Sequence, residues 1–424
     1  MSFSIEAKTY SLKDLISSID QHPEVLIDKL EIEKAHTYFD KIDGETGPKV
    51  NFLLGAGPNK SARGNAQTYT ESSSVDTYTL LSKIDFKWPL FMFNRSGDLK
   101  KAATLNKEIK ILDNQKKKAE LLLKLKEYYF GAQYAFSLND FAESTLKDLD
   151  EAISSMKTPG NSKTESIDQL TYFRSLAQVK KIEIEKSVAQ AYLGLKYITQ
   201  DAEVVLSDEY LEQAIKPLPS LGELKAKLQK TNFDLKKAEL GFEAKSAFYE
   251  SEKKSRLPVF GLFSSYEWKK TPDSQKQVSP FSYDPYHQSD FSVGLGLIWE
   301  FDWGSKTSQV DLSRIERDIV EKQKAFATQN LPIKLEKLYL DCVSSSKKAI
   351  ELEKAYKLTK RVFNKKASSI ALGMSPAKEI IESYTKKAEA FSLYLEAVYE
   401  FEKNLAALSY EVGEELDPTL LKTN

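Results

Sequence analysis

The chain has 424 residues, 29% of them charged, and a net charge of −1, so it has neither the basic excess of a nucleic-acid binder nor an acidic tail. A single cysteine, Cys342, excludes a disulfide framework within the chain and is expected as a buried free thiol; the three scattered histidines, His22, His36 and His287, argue against a histidine-based metal or acid–base site. No apolar run approaches the ~18 residues of a membrane helix, a test that alternating β-barrel strands escape.

Taken in chain order, the start MSFSIEAKTYSLKDL has no basic stretch followed by an apolar core, hence no signal peptide. That reads as cytosolic, and equally as a mature form whose leader has been removed. The pattern then predicts a helix over about 11–42, a strand at about 48–57 entered through Pro48, a loop, a strand at about 77–88, and a long helix from Gly97. TPGNSKTES, from Thr158, reads as the tight end of a helical hairpin at about 158–166. After the link IKPLPSLG the order recurs. A helix is predicted over about 221–254, strands at about 257–268 (with Pro258 matching Pro48) and 290–303, and a long helix from Ser305. Pro332 should kink that helix or begin a new one, and ALGMSPAKE, from Ala371, reads as a second hairpin tip at about 371–377. Apolar spacing such as Ile315, Ile319 and Phe326, or Leu331, Leu335 and Leu338, supports the helices. Runs near 60 residues would make rods of roughly 90 Å, which need partner helices as in coiled coils.

The chain thus divides into two helix–strand–strand–helix repeats, about 11–216 and 220–413, and a tail, 414–424. The fold class is mostly α with a small β part.

The strands carry the most specific signal. From Thr77, the residues Tyr78, Leu80, Ile84, Phe86 and Trp88 share one face, and Lys83, Asp85 and Lys87 the other. Phe260, Leu262, Tyr266 and Trp268 share a face, as do Phe291, Val293, Leu295, Leu297, Trp299, Phe301 and Trp303; opposite the last set lie Ser292, Gly294, Gly296, Ile298, Glu300 and Asp302. Val50, Phe52, Leu54 and Ala56 form a weaker stripe. All four tryptophans, Trp88, Trp268, Trp299 and Trp303, fall towards strand ends. Strands apolar outside, polar inside and edged with aromatics suit a transmembrane barrel; the rival is a soluble helical scaffold whose small antiparallel sheet lays its apolar side on a core. Four strands cannot close, and hydrocarbon does not tolerate open edges. Several copies must share one barrel; three would give twelve strands, although strand count alone does not fix that number. Lys83, Asp85, Lys87, Glu300 and Asp302 would then line a wet lumen of mixed sign. There is no nucleotide-binding Gly-rich loop, Cys/His cluster or Ser-centred elbow, so neither catalysis nor a metal or cofactor is expected.

The order of these pieces resembles the TolC family of outer-membrane channel proteins from about Ser11 to Gly413. The similarity rests on the repeat, on the entries GPKVNFLL and RLPVFGLF, on the exits WPLFMFNRSG and FDWGSK, on QHP at Gln21–Pro23, and on FNKKASSIALGMSPAKEIIESYTKKAEAFSLYLEAVYEFEKNLAALSYEVG. The resemblance implies a homotrimer with a twelve-stranded barrel in outer-membrane lipid and a helical tunnel in the periplasm. It also implies an exit duct for a tripartite efflux pump or type I secretion system, met at its tips by a periplasmic adaptor and driven by an inner-membrane transporter. Gly160 and Gly373 correspond to the adaptor-docking turns, and Ser375 stands where some relatives place a latching arginine. Glu379 and Glu382 match positions where family members set acidic residues at the narrow periplasmic gate. Three apart, they share a helix face, as would an ordinary solvated pair.

Overall fold

The computed structural model of the chain describes residues 9–64, 71–157, 164–201, 203–207, 210–211, 217–272, 281, 284, 287–371 and 376–416. Both repeats open in the same way. Helix α1 (Leu12–Ser18) starts at a capping box: the Ser11 hydroxyl accepts from the Asp14 amide at 3.4 Å, and the Asp14 carboxylate accepts from the Ser11 amide at 2.9 Å. A 3-10 turn, Ile19–Gln21, separates it from α2 (Pro23–Thr46). In the second repeat Ser220 and Glu223 make the same box for the helix Leu221–Thr231, and Asn232 separates that helix from the next, Phe233–Lys254. The Asn232 side chain caps the second piece by accepting from the Leu235 amide at 2.9 Å. Each helix predicted as continuous is therefore interrupted, by the 3-10 turn before Pro23 in the first repeat and at Asn232 in the second.

The rest of the first repeat comprises β2 (Lys49–Gly64), β3 (Glu71–Phe91), α3 (Arg95–Met156) and α4 (Thr164–Thr199). Two short strands escaped the sequence reading: β1 (Thr9–Tyr10) pairs in parallel with β4 (Val205–Leu206). With the two helices just given as α5 and α6, the second repeat continues through β5 (Val259–Lys270), β6 (His287–Ile298), α7 (Ser305–Ala371) and α8 (Ala377–Val412). Helix α7 runs through Pro332 without ending. The proline leaves the Thr328 carbonyl without its helical donor, and the turns on either side carry the helix on.

The chain forms two compact units that cut across the repeats. One holds Met1–Glu31, Lys110–Lys237 and Lys324–Asn424. In it α3 packs on α8 through Tyr134 and Tyr399, stacked at 5.5 Å, and Phe141 and Phe391 at 4.6 Å. Helix α4 is tied to α3 by Arg174–Asp150 at 2.5 Å and Lys181–Glu143 at 3.0 Å. Helix α7 meets α8 where Tyr356 contacts Phe391. Leu224 and Leu228 of α5 share a buried cluster with Leu335 and Cys342 of α7 and with Phe401, Leu405 and Leu408 of α8. Burial pushes the Cys342 thiol up to about 12. Helix α8 ends at Gly413, whose φ of 79° makes a left-handed cap.

The other unit, Ile32–Ile109 and Ala238–Gln323, holds an antiparallel sheet in the order β2-β3-β5-β6. Strands β5 and β6 have 12 residues each, β2 has 16 and β3 has 21. Pairing of β3 with β5 begins at Leu80, so among the described residues β3 pairs from Glu71 to Thr79 with β2 alone. Among the described residues no helix is long and apolar enough to cross a membrane.

Candidate functional site

Side chains alternate along a strand, and residues opposite one another in register lie on the same face of the sheet. The register pairs Val50 with Phe86 and Phe52 with Ile84, Ile84 with Tyr266 and Trp88 with Leu262, and Tyr266 with Phe291 and Leu262 with Leu295. The four apolar stripes therefore join into one continuous face. It is uncovered: Phe52 is 64% exposed, Leu54 71%, Phe291 70% and Leu295 65%. Exposed apolar patches of this extent mark an interaction surface.

The opposite face carries Lys83, Asp85 and Lys87 of β3 beside Ser265 and Glu267 of β5 and Ser292 and Asp290 of β6. Lys83 and Asp85 pair at 3.5 Å, and Ser265 donates to Asp85 at 2.8 Å. Leu53, Leu81 and Phe263 lie on this face among its polar residues, and sequence reading did not single out Phe263. Its ring lies on Gly296, where an added Cβ would come within 3.1 Å of it. Gly296 of GLG thus leaves room for the ring, whereas nothing lies within 4 Å of the missing Cβ of Gly294, the residue opposite Phe263 in register.

The tryptophans mark the ends of the apolar face. Trp88 is opposite Leu262 and Trp268 opposite Ser82, so the two levels lie six residues apart on β3, about 20 Å at strand rise. Trp299 and Trp303 are not in β6, which stops at Ile298, opposite the first residue of β5. Aromatic alternation continues past that point, but there is no further β5 residue to pair with, and the chain turns. The Trp299 indole donates to the Arg256 carbonyl at 3.1 Å and packs on Phe301 at 4.6 Å, while Trp303 is wholly exposed. Glu300 and Asp302 accordingly sit in the strand-to-helix corner, outside the strand predicted to hold them. Asp302 accepts from the amides of Gly304 (3.2 Å) and Lys306 (2.6 Å), capping α7, and Glu300 takes the Lys306 ammonium at 2.9 Å. Gly304, at φ 113°, makes the corner; in the first repeat Phe93 and Asn94 make it at φ 52° and 62°.

At the other candidate site, Ala377, Ile380 and Tyr384 of α8 are buried with Leu149, Ala152, Ile153 and Met156 of α3, Leu170 of α4 and Phe363 of α7. Glu379 and Glu382 are exposed. Glu379 lies 3.6 Å from Lys366, and Glu382 lies 2.7 Å from Lys386, whose hydrogen bond and charge hold the Glu382 carboxyl below its ordinary range. Further along α8, Lys387 lies over the rings of Phe363 (4.3 Å) and Phe141 (5.3 Å), and burial pushes its pKa down. Burial also pushes Asp148 up. Its Tyr384 partner is raised as well, by burial first and then by the Asp148 charge. No local sequence signal identifies this cluster, because its members come from three distant helices. Gly160, Gly373 and Ser375 lie outside the described residues. Among the described residues no group of three or more His, Cys, Asp or Glu could hold a metal ion.

No family model and no curated protein sequence matches the chain. Solved structures do. The Campylobacter jejuni CmeC outer membrane channel aligns with a TM-score of 0.79 at 12% identity, over 99% of this chain and 93% of its own. The outer-membrane channel OprN aligns at 0.79 and 16%, over 95% and 89%. The Neisseria gonorrhoeae MtrE outer membrane channel, solved in an open state, aligns at 0.75 and 15%, over 98% and 94%. The chain therefore has the fold of these channels, the fold that the sequence resemblance implies.

Proposed function

We propose that the chain is a non-enzymatic TolC-family subunit, one third of a homotrimeric outer-membrane exit duct with a periplasmic extension. In a tripartite efflux pump or type I secretion system, the duct would pass substrates delivered from the periplasm or an inner-membrane transporter to the outside. The observation that carries this reading is the uncovered apolar face of a four-stranded sheet whose edges, β2 and β6, have no further partner strand among the described residues. Such a face suits lipid, and lipid demands that the edges be paired. Three copies, each joining its β6 to the β2 of the next, would close twelve strands around the polar face. Trp88, Trp268, Trp299 and Trp303 would sit at the two lipid borders. Lys83, Asp85 and Lys87 would keep the lumen wet, with Glu300 and Asp302 at its helical end.

Glu379 and Glu382, repeated three times, would form stacked carboxylate rings at the gate. The turns at Gly160, Gly373 and Ser375 would meet the adaptor. Opening would follow from the adaptor binding the open form more tightly than the closed one. The rival, a soluble scaffold, requires a core against the apolar face, and residues such as Leu54 and Leu295 are instead exposed. Native mass and planar-bilayer conductance of detergent-extracted protein test the proposal: a trimer with steady conductance is expected, and a detergent-independent single chain without conductance would overturn it.

A further inference from the structure

The polar face of the sheet is not uniform along the strands. Register sorts it into levels, each running across all four strands. The charged level nearest the helices holds Lys49 of β2, Lys87 of β3, Phe263 of β5 and Gly294 of β6. The acids of this face stand further along: Asp85 on the next level, then Glu267 and Asp290 together with Lys83. The level of Lys49 and Lys87 therefore carries two cations and no acid.

The two lysines are directly opposite, which sets their Cβ atoms about 5 Å apart, and like charges so placed repel. Both side chains are exposed, and among the described residues neither makes an ion pair. The carboxylates around them are committed elsewhere. Asp85 takes Lys83 at 3.5 Å and Ser265 at 2.8 Å. In the helices that lead into and out of these strands, Asp43 takes Lys100, Glu45 takes Lys41 at 3.8 Å and Asp98 takes Lys254; at the corner before α7, Glu300 takes Lys306 at 2.9 Å. The counter-charge for Lys49 and Lys87 must then come from outside the chain. Repeated in three copies, the pair becomes a ring of lysines around a pore, the arrangement that attracts anions and phosphates.

We infer that Lys49 and Lys87 form an anion-binding ring at the helical end of the barrel lumen, which holds solutes carrying several negative charges, such as phosphorylated compounds, on their way out. This rests on the oligomeric duct proposed above and names a class of solute that its barrel would hold.

The test uses the full chain in planar bilayers, with inorganic tripolyphosphate added to a potassium chloride solution. Tripolyphosphate should block the current in a concentration-dependent way, and the block should fade at high salt, where charges are screened. Lys49→Gln and Lys87→Gln should each raise the half-blocking concentration about fivefold, the value of one unit charge at about 4 Å in water, and the double variant should raise it further. Lys49→Arg/Lys87→Arg, which keeps both charges, should retain the block. Lys269→Gln removes a lumen lysine six residues along β5 from the level of Phe263, about 20 Å away and beyond a screening length of about 10 Å at roughly 0.1 M salt, so it should leave the block unchanged. A conducting trimer that tripolyphosphate does not block, a block that survives the double glutamine variant, or an equal loss in Lys269→Gln overturns the ring and leaves the duct standing. A single chain without conductance removes the duct and the ring with it.

Discussion

Glu382 and Lys386 are four residues apart on α8, and their pairing changes what a carboxylate ring can do. A glutamate held below its ordinary 4.5 by a neighbouring ammonium stays charged as the pH falls through that value. If the ring traps cations, cation block in planar bilayers should persist at pH 4.5 and disappear only under more acidic conditions; block that titrates away near pH 6 would exclude this carboxylate. Glu379→Lys reverses a charge at the same end and should weaken cation block severalfold, measured as a shift in the half-blocking concentration; unchanged block removes the residue from the gate. The two glutamates were singled out through the family resemblance, and their three-residue spacing added only that they share a helix face. Lys387 and its two rings were not, since Phe141 and Phe363 reach it only through the packing of α3, α7 and α8.

For single elements, the helix ends are the points most sensitive to substitution. Gly413 ends α8 at φ 79°, and an added Cβ would lie 2.5 Å from the Thr231 carbonyl oxygen. Gly413→Ala should therefore cost more than about 1 kcal/mol and lower the thermal unfolding midpoint. Gly44 lies inside α2 with nothing within 4 Å of its missing Cβ; Gly44→Ala should leave that midpoint unchanged or raise it, by up to about 1 kcal/mol of stability. The opposite ranking in a thermal melt would contradict both cap and helix as described. The order of elements was readable from periodicity, and the boxes at Ser11 and Ser220 are visible as Ser-x-x-acid. The breaks after them were missed because apolar spacing continues across His22–Pro23 and Asn232. Strand β6 was read five residues too long for a related reason: alternation reports which side chains are apolar and says nothing of whether a partner strand is there to pair with. Pro332 was expected to kink α7 or begin a new helix; no new helix begins there, and a helix of 67 residues accommodates the loss of one hydrogen bond.

On the scale of the whole molecule, the apolar face should read out as contact with lipid. In vesicles containing brominated acyl chains, tryptophan fluorescence should fall clearly, because all four indoles belong to the sheet or its corner. Emission indifferent to bromine would place them away from hydrocarbon. The apolar face could be foreseen from alternation, but its continuity across four strands depends on register, which no single stripe encodes. The pairing of β1 with β4, only two residues a side, leaves no periodic trace at all.

The part of the β2–β3 pairing beyond Leu80 was equally hidden, because GPNKSARG and ESSSVDT lack an apolar alternation and are rich in Ser and other polar residues. In a cylinder assembled from such sheets, each copy would carry its paired β2 and β3 on as a ribbon past Leu80, where the described pairing with β5 begins, so an approaching particle would meet backbone that is already hydrogen-bonded within one copy.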